Sequence, residues 1–256
     1  MILRILISVQ VLDLFSGIGG FTYGLQLASS EFQPAAFAEN NPYCISVLNK
    51  HWPDVKIYED VKEVSAERLV RDSIPDIYVV VGGFPCQDLS KARTPHGDSA
   101  GLYGERSGLW SEFKRIISEL RPSYVIVENV SALTVRGLLD VLGDLAECGY
   151  DAEWANIPAG AVGSPQLRKR LFIVSYPNRA GPQGEILTQV AREIEGRYDA
   201  DAARSDWLYA ASRVLRSANG VSKRMDRLAS IGNSVCPQII ETIGASILHA
   251  RNNRAA

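Results

Sequence analysis

The chain has 256 residues, 46% of them hydrophobic, which is enough apolar surface for one sizeable core and too much for a disordered chain. A net charge of -2 leaves no overall basic excess, so any phosphate-binding surface has to be local. Four scattered cysteines (Cys44, Cys86, Cys148, Cys236) and three scattered histidines (His51, His96, His249) give no C-x-x-C pair and no metal-ligand spacing. No disulfide framework and no metal are therefore expected, and free thiols fit a reducing cytoplasm. The apolar start is interrupted by Arg4, Ser8, Gln10 and Asp13 before it reaches membrane-spanning length, and it reads as a first strand rather than a signal or membrane segment.

Short runs rich in Val and Ile alternate with stretches of helical spacing, the pattern of a parallel sheet covered by helices. Val9–Leu14, Ala35–Glu39, Ile77–Gly82 and Tyr124–Glu128 are predicted strands, with one more strand ahead of Asp60. Thr22–Ala28, Pro42–Lys50, Ala66–Arg71, Gly108–Leu120 and Ala132–Cys148 are predicted helices. Glu153–Ile157 and Leu171–Val174, separated by Gly160, Gly163 and Pro165, read as a hairpin that completes the sheet. From Tyr176 to about Val221 the periodicity weakens behind Pro177, Gly181, Pro182 and Gly184, and a small insert is expected there. A last helix, Pro237–His249, opens on a proline, whose preset φ and missing N–H suit a first turn. The fold class is α/β: a doubly wound, mostly parallel sheet with a small inserted region.

Open α/β sheets place ligands and chemistry at strand ends, and four motifs fall there. Asp13-Leu14-Phe15-Ser16-Gly17-Ile18-Gly19-Gly20-Phe21 joins the first strand to a helix. Its glycines allow backbone to approach a ligand beside a helix N-terminus, although a plain tight turn has the same composition. Glu39 and Asp60, after the second and third strands, converge on the same crevice. Each alone reads as a solvated carboxylate; with the glycine loop they form an adenosyl site, Glu39 suited to ribose hydroxyls and Asp60 to adenine N6. G-x-x-x-x-G-K-[ST] is absent, which disfavours an ATPase loop.

Gly82-Gly83-Phe84-Pro85-Cys86-Gln87 follows the fourth strand, and its Gly and Pro argue for an accessible nucleophilic thiol at Cys86 over a buried structural one. Val127-Glu128-Asn129-Val130 ends the neighbouring fifth strand and sets Glu128 beside Cys86. There it is either an acid with a raised pKa that protonates a ring nitrogen or a cap for the helix near Ser131. In Gln166-Leu167-Arg168-Lys169-Arg170, alternation puts Arg168 and Arg170 on one face, where they hold a base oxygen, a phosphate or the carboxylate, or form a solvated edge.

Taken together these motifs resemble the DNA cytosine C5-methyltransferase family in order, from Asp13 to Gln238, including a closing Gly232-Asn233-Ser234-Val235. The resemblance implies a Rossmann-like fold that uses S-adenosylmethionine, with duplex DNA as partner, in the setting of restriction-modification. It implies Cys86, Glu128, Arg168 and Arg170 as catalytic residues, with Cys86 adding to cytosine C6 and Glu128 engaging N3 and the exocyclic amine. The cofactor residues it implies are Phe15, Ser16, Gly17, Gly19, Gly20, Glu39, Asn40, Asp60, Val61, Pro85, Leu109, Asn233 and Val235. Because C5 is stacked inside a duplex, the target base is expected to be extruded. The polar segment after Cys86 suits a mobile lid, with Gln87, Ser90, Lys91 and Arg93 as DNA contacts.

The implied organisation is a catalytic domain over 1–175, a short target-recognition region over 176–226, and a segment over 227–256 that packs back on the catalytic domain. That recognition region is short for the family, and the arginine-containing motif ahead of Gly232 is not recognisable, so the chain resembles compact phage or prophage forms. Arg213, Lys223 and Arg224 give the region a local basic excess, read as phosphate contacts or as a solvated helix face. A cytoplasmic monomer acting at the nucleoid is expected. Two alternatives are a tRNA cytosine C5-methyltransferase and a silent nucleic-acid-binding module.

Overall fold

The computed structural model describes residues 8–85, 108–164, 168–178, 186–197 and 233–254. Its centre is a seven-stranded sheet in the order β3-β2-β1-β4-β5-β7-β6. The strands are β1 (Val9–Leu14), β2 (Phe32–Ala38), β3 (Lys56–Tyr58), β4 (Val79–Gly82), β5 (Tyr124–Val130), β6 (Tyr150–Pro158) and β7 (Lys169–Pro177). The pairs among β1 to β5 are parallel, whereas β7 runs antiparallel to both β5 and β6. The expected doubly wound, mostly parallel fold is what forms, and the second arm of the expected hairpin, β7, is the one that abuts β5.

Strand alternation splits the core in two. Leu12, Leu14, Val80, Val125, Val127 and Ile173 point to one face, against α3 (Ala66–Arg71), α4 (Gly108–Leu120) and α6 (Leu138–Glu147), which supply Leu69, Phe113, Ile116, Ile117, Val141 and Leu145. Val9, Val11, Val79, Val81, Tyr124, Ile126 and Phe172 point to the other, against α1 (Gly20–Ala28), α7 (Ile186–Arg197) and α8 (Pro237–Arg254). Helices on both faces explain why the central strands are near-continuous apolar runs. Among the described residues the remaining α-helices are α2 (Pro42–His51) and the one-turn α5 (Leu133–Arg136).

Several boundaries differ from the sequence expectation for local reasons. The second strand starts at Phe32 rather than Ala35 and stops one residue before Glu39. Pro34 has no N–H for the ladder, and the register slips there: Val11 pairs with Pro34 but Leu12 with Ala36, leaving Ala35 as a bulge. The fourth strand begins at Val79, not Ile77, and β6 and β7 extend beyond their predicted ends on both sides. The single helix expected over Ala132–Cys148 is two, because the backbone leaves helical geometry at Gly137, between α5 and α6. Part of the expected insert joins the main core: α7 buries Ile186, Leu187, Val190 and Ile194 in the same cluster as the apolar side chains of α8.

Helix α8 continues past the predicted His249 to Arg254 and crosses α1 at a close approach. A Cβ on Gly24 would lie 2.6 Å from the Pro237 carbonyl oxygen and 2.7 Å from the Ile240 Cβ, so only glycine lets these backbones meet. This contact ties the C-terminal segment to the helix that succeeds the glycine loop. Among the described residues no helix is long and apolar enough to cross a membrane, and no group of three or more His, Cys, Asp or Glu is placed to hold a metal ion.

Candidate active site

The glycine loop leaves β1 through Phe15, held at φ 53, a conformation that costs a bulky residue roughly 1–3 kcal/mol. The buried Ser16 fixes the turn: its N–H donates to the Ala38 carbonyl at 3.1 Å and its Oγ to the Asp13 carbonyl at 2.5 Å. Gly17, at φ 55, donates its N–H to Glu39 Oε2 at 2.7 Å, while Glu39 Oε1 accepts from Asn41 N–H at 2.8 Å. Glu39 therefore fastens the loop from β2 and still borders the cavity below.

Gly19, at φ 83, is the N-cap of α1 and has no side chain with which to cap it. Asp13 does so from the strand: its Oδ2 accepts from the Thr22 N–H at 3.2 Å and the Thr22 hydroxyl at 2.8 Å. Among the described residues Asp13 Oδ1 has no hydrogen-bond partner, and Asp13 is fully buried. Burial pushes its pKa up to about 7, against the lowering effect of the two Thr22 bonds and with a further rise from Glu39.

The opposite end is built from β4, β5 and β7. Glu128 is 8% exposed. Across the antiparallel ladder Glu128 pairs with Phe172 and Val130 with Arg170, so this register puts Glu128 and Arg170 on one face, on the diagonal. Glu128 Oε1 lies 2.8 Å from Arg170 Nε and 3.9 Å from an Arg168 terminal nitrogen. Among the described residues the Arg170 guanidinium is the nearest cation to this carboxylate, and its contact adds to the effect of its charge. Burial raises the Glu128 pKa, opposed by the charges of Arg170 and then Arg168.

Two contacts bind this carboxylate to the loop that leads to Cys86. A Cβ on Gly83 would sit 3.1 Å from Glu128 Oε2, so the glycine makes room for the carboxyl group. Asn129, buried in the same motif, donates from Nδ2 to the Phe84 carbonyl at 3.1 Å. Cys86 itself lies outside the described residues, as do Gln87, Ser90, Lys91, Arg93, Gln166, Arg213, Lys223 and Arg224.

One cavity of about 650 Å³ joins the two ends. Its wall includes Phe15, Ser16, Gly17, Gly20, Glu39, Asn40, Asp60, Val61, Pro85, Leu109, Asn233 and Val235, together with Glu128, Arg168 and Arg170. Of the described candidates only Gly19 is off this wall. A Cβ there would lie 2.5 Å from the Trp52 ring, so Gly19 meets packing rather than a ligand. Asp60 also has a structural task, since its Oδ1 accepts from Lys62 N–H at 2.9 Å and caps the turn Val61–Glu63. Asn233, Ser234 and Val235 reach the wall because they lie against the glycine loop: a Cβ on Gly20 would be 2.6 Å from Ser234 Oγ.

Sequence reasoning left out Asn41, Cys44, Glu59, Asn129 and Arg136 as site residues, although all line the cavity. Asn41 and Asn129 had a signal, adjacency to Asn40 and to Glu128. Cys44 reads as an ordinary helix position, and Arg136 is a lone arginine in the helix after β5 that no motif marks.

Residues 9–203 match the model of the C-5 cytosine-specific DNA methylase family. The chain belongs to the C-5 cytosine-specific DNA methylase family. The chain is 31% identical over 185 residues to the Type II methyltransferase M.Sau3AI of Staphylococcus aureus, covering 66% of this chain and 43% of that one. It is 33% identical to M2.BsuMI of Bacillus subtilis over 65% of this chain and 42% of that one. It is 30% identical to M.CviJI of Paramecium bursaria Chlorella virus IL3A over 78% and 49%. The chain thus spans less than half the length of these relatives.

Among solved structures, a DNA modification methyltransferase encoded within an E. coli prophage superposes with a TM-score of 0.55 at 25% identity, over 68% of this chain and 48% of the other. A mutant of Spodoptera frugiperda DNMT2 shares the fold, with a TM-score of 0.56 at 13% identity over 96% and 99% of the two chains.

Proposed function

We propose that this chain transfers a methyl group from S-adenosylmethionine to C5 of cytosine in duplex DNA, with Cys86 as the nucleophile. The observation that carries the reading is the shared cavity: a buried Glu128, flanked by two guanidinium groups, opens into the same space as the strained glycine loop and the stem of the Cys86 loop.

The cavity walls fit the cofactor. A volume of about 650 Å³ is in the range of pockets that enclose a ligand of this size. Among the described residues nothing lies within 4 Å of a Cβ built on Gly17, which leaves its backbone open to a ligand. Glu39 and Asp60 supply acceptors for ribose hydroxyls and the adenine amine, and Asn40, Val61, Pro85, Leu109, Asn233 and Val235 supply the remaining wall. When bound there, the cofactor supplies an electrophilic methylsulfonium.

Cytosine C5 is a poor nucleophile until C6 is saturated. In the proposed reaction the Cys86 thiolate adds to C6 while protonated Glu128 donates to N3, so electron density accumulates at C5. A carboxyl whose pKa is raised by burial is suited to hold that proton. Arg168 and Arg170 steady the carboxylate once the proton has moved. Once C5 has taken the methyl group and lost its proton to a base, the C6–S bond breaks, Cys86 leaves as thiolate, and N3 returns its proton to the Glu128 carboxylate.

We further assign target recognition to the 176–226 region, with Gln87, Ser90, Lys91, Arg93, Arg213, Lys223 and Arg224 on DNA, and a cytoplasmic monomer as the working form. Incubation with tritiated S-adenosylmethionine tests the reading: duplex DNA becomes labelled, tRNA does not, and Cys86→Ser abolishes transfer. Mixed-sequence DNA that stays unlabelled overturns it.

A further inference from the structure

The cavity is electrically divided. Glu39, Glu59 and Asp60 line the side formed by β1 to β3, whereas Arg136, Arg168 and Arg170 line the side formed by β5, α5 and β7. The side chains of Arg168 and Arg170 are only 20% and 23% exposed and are directed at the Glu128 carboxylate. Arg136 is arranged differently: it is exposed, it ends α5, and it stands on the rim of the same cavity. Its position is set by the backbone, because α5 follows β5 after two residues and closes at Gly137, whose N–H donates to the Leu133 carbonyl at 3.1 Å.

A nucleotide whose base enters such a cavity from a duplex keeps its phosphates at the mouth. A guanidinium there presents a planar fork that matches a phosphate. We propose that Arg136 contacts the DNA backbone, holding a phosphate that flanks the target cytosine. This inference rests on the methyltransferase reading above and adds to it a residue that takes no part in the chemistry of the base. Glu39 and Asp60, the carboxylates assigned to the cofactor, follow β2 and β3, whereas Arg136 follows β5 beyond β1 and β4 in the sheet, so cofactor affinity serves as the control that separates a backbone contact from a cofactor contact.

The test is duplex binding by fluorescence anisotropy from about 50 to 300 mM salt, using two unrelated mixed-sequence duplexes, with wild type, Arg136→Ala and Arg136→Lys. One lost phosphate contact lowers the slope of log K against log salt by about 0.9 and weakens binding about five- to tenfold at 0.1 M salt. The loss should be equal for both duplexes, Arg136→Lys should restore the slope, and cofactor affinity measured by calorimetry should stay at the wild-type value. An Arg136→Ala slope equal to wild type overturns the assignment, as does a loss confined to one duplex or matched by a loss of cofactor affinity. Failure of the wild type itself to bind DNA in a salt-dependent way is a different result, and overturns the methyltransferase reading.

Discussion

Asp13→Asn isolates one buried carboxyl group. Asp13 is 0% exposed and titrates near 7, against an ordinary value of 3.8. The folded protein therefore binds this proton more tightly than the unfolded chain by about 4 kcal/mol, at roughly 1.4 kcal/mol for each pH unit between the two values. Because the folded value is the higher one, the stabilisation is complete below pH 3.8 and is lost as pH rises toward 7. An asparagine amide can keep its oxygen on the two Thr22 donors and place its NH2 where Oδ1 has no partner. That NH2 costs about 1–3 kcal/mol if left unsatisfied, and the cost does not change with pH.

The difference in unfolding free energy, variant minus wild type, should thus climb from pH 5 to pH 7 and level off above it. For a chain of this size the climb corresponds to roughly 3–5 °C in Tm per pH unit. Urea unfolding at half-unit pH intervals measures the difference and cancels every other titrating group. A difference that stays flat to within about 0.5 kcal/mol would refute the reasoning, since Asp13 would then be ionised inside the fold.

Glu128→Gln should lower kcat by about 10²- to 10⁴-fold with little change in cofactor affinity, as expected for loss of a positioned proton donor. Its raised pKa also sets a direction: wild-type activity that depends on the protonated form declines as pH rises through that value, and pre-steady-state rates of the variant should lack that limb. Gly24→Ala forces a methyl group to within 2.6 Å of the Pro237 carbonyl. It should cost about 1–3 kcal/mol of stability by thermal unfolding. It should also weaken cofactor binding, because α8 carries Asn233–Val235 to the cavity wall.

Legibility in the sequence depended on whether the information was local. The apolar runs of β1, β4 and β5, and the capped starts of α2 and α3, are written in contiguous residues, and these elements appear at or close to their expected ends. Arg168 and Arg170 were also legible as a pair, because alternation along one strand puts residues two apart on one face; their meeting with Glu128 required the register between β5 and β7. Contacts between distant segments were not. Nothing near Gly19 announces that Trp52 will occupy the space beside it, so a glycine that serves packing resembled one that serves a ligand. The remote cap that Asp13 gives α1 was hidden for the same reason, since capping residues are sought next to the helix they cap. Arg136 lies on the short helix that follows β5, and no motif marks a lone arginine there as a cavity residue.

The central claim is that the thiol of Cys86 forms a bond to the pyrimidine ring of a base taken from DNA. Duplex DNA carrying 5-fluorocytosine blocks the final loss from C5, so the wild-type chain with S-adenosylmethionine should remain attached to it on a denaturing gel, and Cys86→Ser should not. Wild-type protein that binds this DNA together with the cofactor and yields no attached species would contradict the claim.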